Sequence, residues 1–190
     1  MLKITILYGA IRTGRLSIRA ARAVEKALKE TGKAEVTFID IKTFGIPVME
    51  SRLFETKDPA DALQEISAAL STADGIVFVS PEYNNSYSGA FKNTVDYFTK
   101  EWAHKPIGVV AGSNGKQGGI NASNLMQLLV LAIGAYAMPE KLLVPELHLS
   151  LDEEGNPKNE IMAKNIKKFV DSFLWFTEAI AERKKKTINS

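Results

Sequence analysis

Short apolar runs alternate with amphipathic segments along the chain. Residues 2–8 (LKITILY), 34–40 (AEVTFID), 75–80 (GIVFVS), 106–112 (PIGVVAG) and about 135–144 (AYAMPEKLLV) are rich in Val, Ile and Phe, and they predict five strands. Between them the spacing predicts helices over 17–31, about 59–72, about 89–100 and about 121–133, with a longer one at about 158–182. In that last segment Ile166, Phe169, Val170, Phe173, Leu174 and Ile180 form a stripe suited to packing on a sheet, and Trp175 and Phe176 widen it.

Strands that alternate with helices imply a parallel sheet covered on both faces, because parallel neighbours need crossover connections and helices supply them. The expectation is one doubly wound α/β domain over 1–182, followed by a basic, frayed tail over 183–190 (RKKKTINS). In such sheets ligands bind beyond the carboxyl ends of the strands, near the point where strand order reverses.

That rule selects three loops: GAIRTGRLS (9–17), SPEYNNSYSG (80–89) and GSNGKQGG (112–119). In the first, Ser17 stands where a helix N-cap belongs and Arg12 adds a fork-shaped charge, which suits an anion at a helix N-terminus. An ordinary capped turn with a solvated arginine would look the same. Neither G-x-G-x-x-G nor a Gly-Lys-Ser/Thr phosphate loop is present. The third loop holds Gly112, Gly115, Gly118 and Gly119, which let a backbone approach a flat ligand or simply make a flexible turn.

Composition narrows the classes. With 190 residues, 45% of them hydrophobic, the chain suits one well-buried core. A formal charge of +2 gives no reason to expect a nucleic-acid binder or a strongly acidic electron carrier. Zero cysteines exclude disulfides, thiolate metal sites and cysteine nucleophiles. No leader pattern or long apolar run is visible, so a soluble cytoplasmic protein that does not enter a membrane is expected. His104 and His148 stand alone and assemble no metal site, and Asp40, Asp74 and Asp96 are read as helix caps or strand-end groups.

The block ADGIVFVSPEYNNSYSGAFKNTVDYF (73–98) resembles the NADPH-dependent FMN reductase family, with its strand, P-E-Y-N loop and G-x-x-K-N-x-x-D helix start. GAIRTGRLS stands in place of the family's G-S-x-R-x-x-S element and GSNGKQGG in place of its glycine-rich loop, so the resemblance spans most of 4–133. It implies a flavodoxin-like five-stranded sheet of order 2-1-3-4-5 with helices on both faces. It also implies an enzyme that takes hydride from NADPH or NADH onto FMN, then passes electrons to a small acceptor (quinone, azo dye, chromate or free flavin) by ping-pong kinetics. Arg12 and Ser17 would hold the FMN phosphate, assisted by backbone donors around Gly14, Arg15 and Leu16. Pro81, Glu82, Tyr83 and Asn84 would line the ribityl and ring, and Ser113, Gly115 and Gly118 would close the other side. Hydride transfer between stacked rings leaves no acid–base residue to name. Ala10 replaces the family's usual serine and removes one hydroxyl donor. A flavodoxin-type carrier, or a scaffold domain lacking FMN, remains an alternative.

Two further patterns concern surfaces. LMQLLVLAIGAYAM (125–138) is apolar nearly all round, which fits a homodimer or homotetramer contact or burial under the C-terminal helix. Arg15, Arg19, Arg22, Lys26 and Lys29 form a basic stripe on one helix face. It reads as a solvated face, or as a site in which Arg15 or Arg19 attracts the adenosine phosphate of NADPH.

Overall fold

The computed structural model describes residues 1–188. Five strands, β1 (Leu2–Tyr8), β2 (Ala34–Asp40), β3 (Gly75–Pro81), β4 (Pro106–Gly112) and β5 (Tyr136–Val144), pair in parallel in the order β2-β1-β3-β4-β5. The helices are α1 (Ile18–Glu30), α2 (Ile41–Phe44), α3 (Asp61–Thr72), α4 (Gly89–Asp96), α5 (Ile120–Ala132), α6 (Leu147–Ser150) and α7 (Glu160–Ile188). This is the flavodoxin-like arrangement, and the order reverses between β1 and β3.

Alternation along each strand divides the core in two. Ile4, Ile6, Tyr8, Val77, Val79 and Val110 face α1 and α7, where they meet Val24, Leu28, Phe169 and Phe173. Leu7, Ile76, Phe78, Ile107 and Val109 face α3, α4 and α5, where they meet Ile66, Phe91, Trp102 and Met126. Both faces are covered, as a parallel sheet requires.

Two boundaries and one side chain differ from expectation for identifiable reasons. The helix expected over 89–100 ends at Asp96. There the fully buried Trp102 folds back, and its indole N–H donates to the carbonyls of Val95 and Phe98 at 3.3 and 3.0 Å. The last helix continues to Ile188 rather than stopping near 182, because residues 182–186 (ERKKK) are helix formers with no glycine or proline among them. Residues 189 and 190 of the expected tail lie outside the described residues. Trp175, expected to widen the buried stripe of that helix, is 72% exposed, because it points away from the sheet while Phe173 and Leu174 are buried.

Part of the basic stripe of α1 is used in packing, while Arg22, Lys26 and Lys29 stay exposed as a solvated face would. Arg19 donates to the Leu151 carbonyl at 3.1 Å, Arg22 to the Glu153 carbonyl at 2.8 Å, and Lys26 to Asn156. These bonds clamp a hairpin-like turn, closed by a Leu151–Pro157 bridge, against the helix. Within the turn Asp152 accepts from the Glu154 and Asn156 backbone and from the Asn156 amide, and the Asn156 bonds hold its carboxyl below the usual range. Gly155 is essential to the fit. Its φ is +84°, and a Cβ there would stand 2.6 Å from the Ala23 nitrogen.

At the amino ends of the strands, opposite the three loops, the Lys105 ammonium is buried and donates to the Ser71 and Ala73 carbonyls at 2.7 Å each, closing the end of α3. Burial, with Lys184 nearby, lowers its pKa from 10.5 to about 8. Between about pH 8 and 10.5 the unfolded chain therefore binds the proton that the folded chain has lost, so stability rises with pH across that window. Burial also lowers Lys184, which adds in the same direction, while burial raises Tyr8 and Tyr97, which act the other way above pH 10.

Two outcomes are expected. Urea unfolding between pH 8 and 10 should show stability increasing for the wild type and increasing less for Lys105→Met; equal slopes would mean that Lys105 does not titrate in that range. Gly155→Ala should destabilise the chain by roughly 2 kcal/mol, the scale of a strained backbone with a clash, read from the shift in urea midpoint.

Candidate functional site

Beyond the carboxyl ends of β1, β3 and β4 lies a cleft of about 280 Å³. It is lined by residues 12–17 of the first loop, by Pro81, Glu82 and Tyr83, by Gly112, Ser113 and Asn114, and by Leu147. Of the residues expected at a cofactor site, Arg12, Gly14, Arg15, Leu16, Ser17, Pro81, Glu82, Tyr83 and Ser113 line this cleft. Asn84, Gly115 and Gly118 do not. Gly112, noted among the third loop's glycines, lines it too; Thr13, Asn114 and Leu147 line it without having been singled out, and Leu147 comes from the start of α6, far from any loop motif.

The first loop carries backbone donors without protein acceptors. Among the described residues, the backbone N–H groups of Thr13, Gly14, Leu16 and Ser17 have no protein acceptor, and they stand beside the exposed Arg12 just before α1. Free N–H groups at a helix N-terminus, with its positive dipole end, favour a negatively charged group. Ser17 occupies the position expected for an N-cap, but its side chain makes no cap bond and its backbone is helical. Its hydroxyl instead shares a 2.9 Å hydrogen bond with the Tyr8 hydroxyl. Burial pushes Tyr8 far above the ordinary tyrosine range, so its proton stays in place at neutral pH.

Arg15 faces the cleft but its guanidinium is committed elsewhere. It grips both carboxylate oxygens of Asp40 and the Ala10 carbonyl, and it sits 5.0 Å from the centre of the Tyr8 ring. Ala10 itself is fully buried and is not among the residues that line the cleft.

The second loop is a tight hairpin. Tyr83 and Ser86 exchange both backbone hydrogen bonds, at 2.8 and 3.0 Å, and Asn84 and Asn85 turn between them with φ of +50° and +63°. Asparagine tolerates this left-handed pair, which is the geometry of a type I′ turn. The Glu82 carboxylate does not hang free. One oxygen accepts from the Asn121 and Ala122 backbone at 2.9 and 3.0 Å, capping α5, whose own N-cap residue, Gly119, has no side chain to do so. Asn121 also donates to the Asn85 side chain. The hairpin is thus tied to the start of α5.

In the third loop the Gly118 N–H is taken by the Gly115 carbonyl, and a Cβ on Gly118 would stand 2.9 Å from the Pro145 nitrogen. Gly118 shapes the turn rather than offering a donor. The Asn114 and Gly115 N–H groups have no acceptor among the described residues.

Other candidates fall away from this cleft. His104 meets the Tyr136 hydroxyl at 3.1 Å, Asp74 accepts from the Lys3 backbone, and Asp96 pairs with Lys92. Among the described residues no group of three His, Cys, Asp or Glu could hold a metal ion. A larger groove of about 420 Å³ between α1, α7 and residues 155–157 has an alanine, isoleucine and valine floor and is remote from the strand ends.

A family model for NADPH-dependent FMN reductase matches residues 2–148. The chain is 29% identical over 176 residues to an NADPH azoreductase of Bacillus sp., covering 90% of this chain and 94% of that one. It is 28% identical over 159 residues to a quinone reductase of Pseudomonas putida, covering 80% and 84%. Among solved structures it superposes on the flavoenzyme NAD(P)H:(acceptor) oxidoreductase FerB of Paracoccus denitrificans with a TM-score of 0.81 and 24% identity, over 94% and 98% of the two chains. No helix of the described residues is long and apolar enough to cross a membrane. The chain belongs to the NADPH-dependent FMN reductase family, and is an oxidoreductase whose cofactors are FMN and NAD(P)H.

Proposed function

We propose that the cleft between the three loops holds FMN, and that the chain uses it to carry electrons from NAD(P)H to a small acceptor of the quinone or azo class. One observation carries this reading: unpartnered backbone donors and Arg12, which has no carboxylate partner among the described residues, lie together on one loop of a cleft whose other walls are the hairpin and the third loop. That donor set suits a phosphate dianion, and the backbone-lined walls suit a flat ring. Bound FMN would supply two-electron chemistry, accepting a hydride and giving up electrons.

The protein's share is binding and orientation. Arg12 and the N–H groups of Thr13, Gly14, Leu16 and Ser17 hold the phosphate. Pro81, Tyr83 and Ser113 flank the rest of the cofactor. Glu82 acts indirectly, by fixing the hairpin to α5. No side chain on the cleft is required to move a proton in the hydride step, because orientation is what this transfer demands. One open face that serves donor and acceptor in turn gives ping-pong kinetics, with chromate and free flavin as further acceptors to test.

An assembly is part of the proposal. Leu128 and Leu131 on α5 are 61% and 62% exposed, so neither α7 nor any other described segment covers that face. A second copy of the chain is the proposed cover, as a dimer or tetramer.

Purified protein loaded with FMN should bleach anaerobically on adding NADPH and recolour on adding a quinone, with parallel double-reciprocal plots. Flavin uptake without bleaching would indicate an electron carrier instead. Arg12→Ala should weaken FMN binding about tenfold or more, the value of a charge-assisted hydrogen bond, measured by quenching of flavin fluorescence. Because the Glu82 carboxylate is committed to α5, Glu82→Gln, which retains an acceptor oxygen, should leave FMN affinity within about threefold of wild type, a change below 1 kcal/mol; a larger loss would make Glu82 a direct ligand.

A further inference from the structure

We propose that Asp40 and Arg15 are positioning residues that hold the first loop in its anion-binding shape, and that this pair, rather than a direct bond from Arg15, sets the preference for a phosphorylated flavin. The inference rests on the reading of the cleft as an FMN site, but it makes a separate claim about the chain without ligand.

The geometry leaves Arg15 little capacity for a ligand. Its guanidinium forms a two-pronged bond with Asp40, the strongest geometry available to this pair. It also donates to the Ala10 carbonyl and lies over the Tyr8 ring. Both side chains are mostly buried, at 13% and 14% exposure. These contacts connect three separate pieces of backbone: the exit of β2 through Asp40, the exit of β1 through Tyr8 and Ala10, and the loop through Arg15 itself. Tyr8 then reaches Ser17 at the start of α1. Residues 11–14, of which Arg12, Thr13 and Gly14 line the cleft, span the gap between two anchored points, Ala10 and Arg15.

The chemistry also argues for anchoring over binding. Asp40 neutralises Arg15, so Arg15 adds little net charge to an anion in the cleft. A loop whose N–H groups have no protein acceptor has no internal bonds to keep it in one shape. Something outside the loop has to hold it, and the Asp40–Arg15 pair is the contact that does.

Asp40→Asn separates this role from others. Asp40 also accepts from the Lys42 backbone as the N-cap of α2, and asparagine caps as well as aspartate does, so the variant keeps the cap and loses the charged grip. Two measurements test the proposal. In ligand-free protein, the backbone order parameters of residues 11–17 from nitrogen-15 relaxation should fall in Asp40→Asn and in Arg15→Met, with those of β1 and β3 unchanged. In the flavin titration, FMN affinity should fall at least tenfold in both variants, and riboflavin affinity should hold within about twofold. The double variant should be no weaker than the weaker single one, because both remove the same interaction.

Unchanged order parameters in the loop would overturn the proposal, as would FMN affinity equal to wild type in Asp40→Asn. Equal losses for FMN and riboflavin would show a general structural effect and also overturn it. Loss of FMN binding in Arg15→Met with none in Asp40→Asn would make Arg15 a direct ligand. If wild-type protein binds no flavin, the FMN reading fails while the relaxation measurement still decides whether the pair holds the loop.

Discussion

Everything at the strand ends depends on the close approach of α4 to the exit of β1. Gly9 follows β1 directly, and a Cβ there would lie 2.5 Å from the Phe91 side chain. With no side chain at that point, Phe91 packs over the backbone, and the Ser88 hydroxyl donates to the Gly9 carbonyl while accepting from the Phe91 N–H as the cap of α4. The Ser88 N–H in turn reaches the Ser80 hydroxyl at the end of β3. One short serine therefore ties together the two strands between which the sheet reverses direction. The opening at the switch point has a fixed width because of it.

Around that opening the fold treats its two helix N-termini differently. The start of α5 is neutralised from within by Glu82, which makes the second and third loops one rigid unit. The approach to α1 keeps its donors unpartnered and carries the one arginine on the cleft that has no carboxylate, Arg12, while Arg15 is spent on Asp40. The contrast gives the cleft a polarity: unpartnered donors and Arg12 stand on the first loop, while on the facing walls the one carboxylate, Glu82, is engaged by the start of α5. A phosphorylated, flat cofactor has the same polarity.

The region after β5 serves the site at a distance. The turn at residues 151–157 is clamped to α1 by Arg19, Arg22 and Lys26, and α6 just before it places Leu147 in the cleft wall. The cations of α1 thus act through structure. Their spacing on one helix face was plain to see, but the carbonyls and the amide that receive them lie some 130 positions away along the chain.

The order of strands and helices, the loops that meet at the site, and the family were legible in the sequence, because they rest on local properties: apolar periodicity, turn residues, and the P-E-Y-N block. What each side chain in those loops does was not. Arg15, Glu82 and Ser17 all stand in the cleft, yet their polar atoms are taken by Asp40, by the start of α5, and by Tyr8. Gly118 was read as a ligand neighbour and serves a turn beside Pro145. The physical reason is common to all of them. A motif specifies which donors and acceptors a loop carries, but a hydrogen bond is satisfied by whatever the fold brings within about 3 Å, and that neighbour comes from another strand or helix.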